Sequence, residues 1–362
     1  MKNKRYLSLI NPFASLATKK VLQVNPTVAP SRKEPEKTLI SVYEYSVSEV
    51  KLEKLDKVED CFKYLNTPNI SWINFDGLKK EDIDKTCAHF GVHPLIAEDI
   101  FSSGQRPKMD ELNQLLFCLL NMLYFNEEIL SVESEQISII LGSNFILSFQ
   151  EDASRDVFNP LREKIKVAGS KVRQSGADYL FYSLIDMIVD SYFVIMEQLG
   201  EKIEDVEEDI THRPDTRTLA KINMLRKEMI FLKRNISPVR EMINGILRSD
   251  SNLIEDRTEK YFKDVYDHIV QANELAENYR DMMINLQDLY LNNVNLKMNE
   301  VMKVMAVVTC LLAPATVIGG IFGMNFNRIP GLQNPYGFYS AVALMFIIPL
   351  WMLWMFRKRG WF

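Results

Sequence analysis

Between Val304 and Phe356 the only charged side chain is Arg328. No other feature limits this chain more. A stretch so long without charge has no polar face to turn toward water. It divides into residues 304–324 and 336–356 around a short connection. Each part has the ~20 residues that cross ~30 Å of hydrocarbon. Pro314 and Pro349 would disturb soluble helices but are tolerated in bilayers. Tyr336, Phe338 and Tyr339 mark one end of the second segment, and Trp351 and Trp354 the other. Arg357-Lys358-Arg359 follow at once, so the positive-inside rule puts the C-terminus in the cytoplasm. A pair of crossings returns the chain to its starting side. The basic start, Met1 to Arg5, precedes an apolar run (residues 6–10) too short for a signal-peptide core. We therefore expect a multi-pass protein of the inner (plasma) membrane, in contact with lipid, with both termini cytoplasmic. A buried soluble helical hairpin is the alternative.

The rest of the chain is ordinary in composition. Its net charge of −5 excludes a strongly basic nucleic-acid binder. Cys61, Cys87, Cys118 and Cys310 are widely spaced, which fits reduced thiols better than a zinc ribbon or disulfide framework. His89, His93, His212 and His268 are scattered, and His93 before Pro94 reads as a turn or packing residue. No Ser-His-Asp set, P-loop or Rossmann glycine pattern occurs, so nothing supports an enzyme.

One membrane hairpin cannot enclose a water path, so conduction would require several copies in a ring. Residues 246–313 contain no Gly or Pro. Most of that stretch as one helix would be roughly 100 Å long. Val265, Ile269, Ala272, Ala276, Tyr279, Met283, Leu286 and Tyr290 recur at alternating steps of four and three, a coiled-coil seam. It would pack against copies of itself or against neighbouring helices. Farther on, Asn299, Met302, Met305, Thr309, Ala313, Thr316 and Gly320 share one helix face. That face is uncharged, small and methionine-bearing. In a ring it would line a narrow conduit with an apolar constriction at Met302 and Met305, able to gate by losing its water. Simple helix packing is the equal alternative, since small residues favour it and Gly319 and Gly323 form a GxxxG pair. Gly323-Met324-Asn325 closes the segment, Gly being the usual helix stop and Asn tolerating the same turn. A ring of Asn carboxamides offers oxygen dipoles without charge. Mg²⁺ prefers octahedral oxygen and sheds water reluctantly, so such a ring could hold the hydrated ion loosely.

The tripeptide Gly323-Met324-Asn325, the NEVMKVM run at residues 299–305 and the basic end of the second span resemble the CorA family of divalent-cation channels. SWINFDGL (71–78), GVHPLIAEDI (91–100), QRPK (105–108), ADYLFYSLIDMIVDSYF (177–193), YFKDVYDH (261–268) and LQDLYL (286–291) look like family segments in the same order. The resemblance covers nearly the whole chain from about Leu39. It implies a homopentameric funnel of cytoplasmic α/β domains and long stalk helices around a central pore. On matching positions it implies an ion-selective entrance at Gly323, Met324 and Asn325, and a conduit along the face just described. Asp99 and Asp288 match carboxylates that share a regulatory metal between subunits. Glu98 and Asp264, with Asp186, match a second, weaker acidic site. The implied cargo and regulator is Mg²⁺, with Co²⁺ and Ni²⁺ as further ions. A divalent ion bridging the facing carboxylates would lock the symmetric, closed ring, so that cytoplasmic Mg²⁺ shuts the pore. Residue by residue, without the resemblance, Asp99 and Asp288 read as caps or surface charges.

Two departures stand out. The family often follows the tripeptide with an acidic loop, whereas here Asn327, Arg328 and residues 329–332 carry no carboxylate to concentrate cations. This drifts toward the zinc-handling, ZntB-like relatives and makes Zn²⁺ the competing cargo. Ala313 is small where some relatives carry a bulky residue, which implies a wider conduit there. A third reading, from another class, is a non-conducting, membrane-anchored coiled-coil scaffold.

The fold class expected is an α+β membrane protein. Its segments are an N-terminal extension (1–38), a cytoplasmic α/β domain (39–170), an antiparallel helical hairpin (171–250), a stalk helix (251–303), a pore-lining membrane helix (304–324), an external loop (325–335), a second membrane helix (336–356) and a basic tail (357–362). Strands are expected at Leu39–Tyr45 and residues 70–75, 115–125, 136–141 and 145–149, and helices near residues 80–90 and Pro94–Phe101. Helices at 177–210 and Thr216–Arg248 would flank a turn at residues 212–214. The acidic tip of that hairpin, Glu201 to Asp209, is either a solvated helix end or a cation-attracting collar.

Overall fold

The computed structural model of the chain describes residues 35, 37–152, 155–212, 215–325, 329–331 and 334–360. Most of the expected N-terminal extension, the turn residues Arg213 and Pro214, and the loop residues Asn327, Arg328 and Leu332 lie outside the described residues. Two compact units divide the chain, Met1–Asp209 with Asp215–Leu286, and Ile210–Pro214 with Gln287–Phe362.

The first unit is built on a mixed sheet. Its strands are β1 (Leu39–Tyr45), β2 (Val50–Leu55), β3 (Ile70–Asp76), β4 (Lys108–Leu112), β5 (Leu115–Asn126), β6 (Ser131–Leu141) and β7 (Phe145–Gln150). They lie in the order β2-β1-β3-β7-β6-β5-β4, and only β3 and β7 pair in parallel. That parallel pair is the centre, and both of its faces are covered, as the unbroken apolar runs require. Ile73, Phe75, Leu147 and Phe149 point to one core, shared with a 3₁₀ segment (Val58–Tyr64), α1 (Lys80–His89) and α2 (Pro94–Phe101). On the same strands Trp72, Asn74 and Ser148 are fully buried and bonded to one another. Trp72 Nε1 donates to Ser148 Oγ at 2.8 Å, and Ser148 Oγ donates to Asn74 Oδ1 at 2.6 Å. Burying three polar groups is tolerable because each finds a partner.

Two strands and two short helices have weak sequence signals or none. β2, VKLEKL, is an exposed edge strand whose charges suit an edge better than a core. β4, KMDEL, is equally polar, and joins β5 through Asn113 and Gln114, both at positive φ (54° and 61°), as a primed hairpin turn requires. Two short helices, α3 (Asn159–Lys166) and α4 (Lys171–Gln174), follow the sheet.

The helices α5 (Ala177–His212), α6 (Thr216–Arg248) and α7 (Asp256–Phe322) follow, and α7 passes from the first unit into the second. Tyr192 Oη on α5 donates to the Asn121 carbonyl of β5 at 2.7 Å, and Asn121 donates to Asn235 of α6 at 2.9 Å. The heptad seam packs within the chain. Val265, Ile269, Ala272, Ala276 and Met283 are fully buried, while Tyr279 is half-buried. Phe262 meets Phe181 and Tyr182 of α5, and Ser237 of α6 donates to Asn273 at 2.8 Å. The approach is close at Gly200, where a Cβ would stand 2.6 Å from the Tyr279 hydroxyl and the Tyr279 side chain would have to shift.

Most of the Gly- and Pro-free stretch lies in one helix. α6 ends at Arg248 and α7 begins at Asp256. The break is made by side chains that compete for backbone groups. Ser249 Oγ accepts from Ser251 N at 3.1 Å, and Asp178 accepts from Glu255 N at 3.1 Å. From Asp256 the helix then runs through Pro314 to Phe322.

In the second unit α7 continues beside α8 (Gly337–Lys358), antiparallel to it, with Lys303 Nζ donating to the Gly360 carbonyl at 3.3 Å. Three helices are long and apolar enough to cross a membrane, α5, α7 and α8. In α5 the apolar window is 56% buried by protein, whereas in α7 and α8 it is 6% buried. The first is a core helix. The other two expose their apolar side chains, which lipid or other copies must cover.

Candidate functional site

The C-terminal part of α7 has two different faces. Val307 is buried, while Leu311, Ala315 and Ile318 are half-buried, and Gly319 lies opposite Met345 of α8, with 3.7 Å from a built Cβ to that methyl. The candidate conduit face lies apart from this contact. Asn299, Met302, Met305, Thr309, Ala313, Thr316 and Gly320 are all exposed in the single chain. Thr309 Oγ1 donates to the Met305 carbonyl at 2.9 Å, and Thr316 Oγ1 to the Leu312 carbonyl at 3.0 Å. The hydroxyl protons are thus used within the helix, and lone pairs remain.

The helix end departs from the expected glycine stop. Gly323 is not in the left-handed region; its N–H continues the helical pattern to Gly319 O at 2.9 Å, and Met324 N bonds to Ile321 O at 3.3 Å in a tighter last turn. A Cβ on Gly323 would lie 3.1 Å from the Gly319 carbonyl oxygen. Met324 and Asn325 follow as exposed residues. Gly331, at φ +91°, lies within the connection, and its carbonyl oxygen comes within 2.2 Å of where a Cβ on Gly337 would be. A side chain at Gly337 would collide with that carbonyl, so glycine suits the start of the second span.

The acidic candidates fall into separate settings. Asp99 sits on α2, whose first turn is capped by His93, the ring accepting from Leu95 N at 3.2 Å. Its carboxylate pairs with Lys108 Nζ at 2.5 Å, and Lys108 also reaches Asp110 at 3.3 Å. Burial would lower the Lys108 pKa, but the bond to Asp99 and the charges of Asp99 and Asp110 outweigh it and hold the ammonium above its usual range. Glu98 is exposed beside Asp99, and Asp288 is exposed on α7, in the other compact unit.

Asp186 and Asp264 do come together, on α5 and α7. They are joined there by residues that sequence reasoning missed. Asp190 lies one turn beyond Asp186, and His268 one turn beyond Asp264. Donor atoms of Asp186, Asp190 and His268 all lie within 4.8 Å of one another. His268 Nδ1 stands 3.5 Å from Asp190 Oδ1, and Nε2 stands 4.0 Å from Asp264 Oδ2. Tyr182 Oη donates to Asp186 at 3.1 Å. Burial, then the neighbouring Asp190 charge, raises the Asp186 carboxyl pKa above its ordinary value. The i,i+4 spacing on each helix was the available signal.

A family model described as CorA-like Mg²⁺ transporter protein matches residues 68–358. The cobalt/magnesium transport protein CorA of Thermotoga maritima is 37% identical over 323 residues, 89% of this chain and 92% of that one. The zinc transport protein ZntB of Yersinia pseudotuberculosis is 20% identical over 269 residues, 74% of this chain and 80% of its own. Among solved structures, the complete CorA magnesium transporter from Methanocaldococcus jannaschii superposes with a TM-score of 0.73 at 23% identity, covering 91% of this chain and 100% of that chain.

Proposed function

From the premise that this chain belongs to the CorA-like family of Mg²⁺ transporter proteins, and so is a divalent-cation transporter rather than an enzyme, we propose that it conducts Mg²⁺, and also Co²⁺ and Ni²⁺, through a homopentameric pore. The observation that carries this reading is the division of α7 into two faces. One face packs on α8, while the uncharged face from Asn299 to Gly320 is left without a partner in the single chain. Five such faces around an axis would enclose a conduit whose outer mouth is ringed by Asn325 carboxamides. The oxygens on offer are neutral, which suits a cation that keeps its water and must leave again. Methionines at Met302 and Met305, both exposed in the single chain, would form the dewetting constriction. Both termini would be cytoplasmic, and inward movement would need no fuel, since a 2+ ion gains roughly 4.6 kcal/mol per 100 mV of inside-negative potential.

Closure is assigned to Asp99 and Asp288 across a subunit boundary, with Glu98, Asp186 and Asp264 as a weaker acidic site. A cation bridging facing carboxylates removes their repulsion and favours the symmetric ring by its differential affinity. One feature favours Zn²⁺ instead: the loop after Asn325 lacks carboxylates.

The test is uptake of Mg²⁺ and of Zn²⁺ by purified protein in vesicles. We expect Mg²⁺ influx that Asn325→Ala abolishes. Zn²⁺ influx without Mg²⁺ influx would transfer the protein to the zinc-handling branch. Influx indifferent to Asn325→Ala would remove the proposed entrance, and no influx of either ion would leave a scaffold.

A further inference from the structure

We propose that the cavity between the α2–β4 connection, the sheet and α6 binds a nucleoside phosphate, one molecule per subunit. Its volume is about 400 Å³, within the range of small-molecule sites. All of its lining residues belong to the first compact unit. The charge of the lining favours an anion over a metal ion. Arg106 and Arg234 contribute two guanidinium groups, against the single carboxylate of Glu151. Guanidinium pairs with phosphate oxygens through parallel, charge-assisted hydrogen bonds. Arg106 belongs to the QRPK segment, whose other cation is already committed, since Lys108 is held by Asp99 and Asp110. The Arg106 side chain is exposed and has no hydrogen-bond or ion-pair partner among the described residues. It precedes Pro107, which is buried and restricts the Arg106 backbone to extended conformations. The cation is therefore carried on an anchored stretch of chain.

A second indication comes from Gln136 of β6, which is 5% exposed and lines the same cavity. Its Nε2 donates to the Asp99 carbonyl at 3.0 Å and to the Ile100 carbonyl at 3.4 Å, which fixes the orientation of the amide. Its Oε1 makes no hydrogen bond among the described residues. A buried acceptor without a donor is costly. A fully ionised phosphate has no proton to offer it, whereas a ribose hydroxyl or a base amino group has. Phe231 of α6 adds an aromatic wall. Asn121 and Asn235, both buried and bonded to each other at 2.9 Å, hold the β5 and α6 sides together. An anion clamp, an acceptor in need of a donor and an aromatic ring thus line one preformed cavity, and a nucleoside phosphate matches all three.

Binding here requires neither the pore nor closure through Asp99 and Asp288. Full-length protein in detergent is titrated calorimetrically with ADP, and separately with pyrophosphate. We expect one ADP per subunit and markedly weaker binding of pyrophosphate. Arg106→Gln should weaken ADP binding by about tenfold or more, as loss of a charge-assisted hydrogen bond does. Ser134→Trp, a change at an exposed position of β6 that fills the cavity, should abolish it. Both variants should keep the urea midpoint of the unaltered protein, so that lost binding is not lost fold. No ADP binding to the unaltered protein, or an ADP affinity indifferent to both substitutions, would overturn the proposal. So would pyrophosphate bound as tightly as ADP, the mark of a bare anion point.

Discussion

The sheet domain and the C-terminal hairpin hide their apolar side chains by opposite means. In the sheet, β5 buries every residue from Leu115 to Leu123, and β7 buries all of Phe145–Gln150. In α8, Phe346 is 68% exposed, Trp351 59% and Trp354 61%. A single copy of the chain satisfies the first region and leaves the second incomplete. Hydropathy alone does not separate them, because α5 is also apolar enough to cross a bilayer but is covered by its own protein. The lesson is that the surroundings, and not the apolar content, decide which helix belongs in lipid.

That contrast can be broken most sharply by placing charge on each kind of exposed apolar residue. Phe346→Lys, near the middle of α8, should cost about 2.5–3.5 kcal/mol of insertion and deplete protein from the membrane fraction. Ile129→Lys, at a position 52% exposed in the sheet domain, should change stability by less than about 0.5 kcal/mol. Equal tolerance of the two would mean that α8 does not face lipid. Next in size is Ser148→Ala, which leaves the buried Trp72 indole N–H without its acceptor. A loss of about 1–3 kcal/mol in chemical denaturation is expected, with ion selectivity unchanged. A neutral result would show that the polar chain inside the sheet is dispensable.

Regulation should respond on a comparable scale. Asp99→Asn with Asp288→Asn should raise the Mg²⁺ concentration for half-closure by about 5- to 150-fold, the usual span of coupling between sites; unchanged inhibition in vesicle flux would dismiss the two carboxylates as the sensor. The smallest effect is expected from Lys108→Met. Lys108 now occupies Asp99 as a tethered cation, so its removal should lower the half-closing Mg²⁺ concentration by a few-fold, about 0.2–1 kcal/mol for a partly exposed pair. A shift upward would mean that Lys108 supports the site instead of competing for it.

Much of this molecule is legible from residue order, and the gaps have physical causes. β1, β3, β5 and β7 announce themselves because their apolar runs match strands covered on one face or both. β2 and β4 do not, since edge strands are charged by necessity and look like loops. The break at residues 249–255 lacks the usual Gly or Pro and is made by Ser and Asp side chains instead. At the acidic site, Asp186 and Asp264 were reachable through resemblance. Their companions Asp190 and His268 stand at i,i+4 on their helices, a spacing that gains meaning only when α5 and α7 are laid side by side.

The inward bend of the Thr309 and Thr316 hydroxyls has one further consequence. Within the proposed conduit, a chloride ion reaching those rungs would find no proton to hold it, while a cation would find oxygen at each. Such a lining sorts ions by sign without carrying any formal charge. Its preference would therefore survive both acidification and high salt, conditions that blunt filters made of ionised groups.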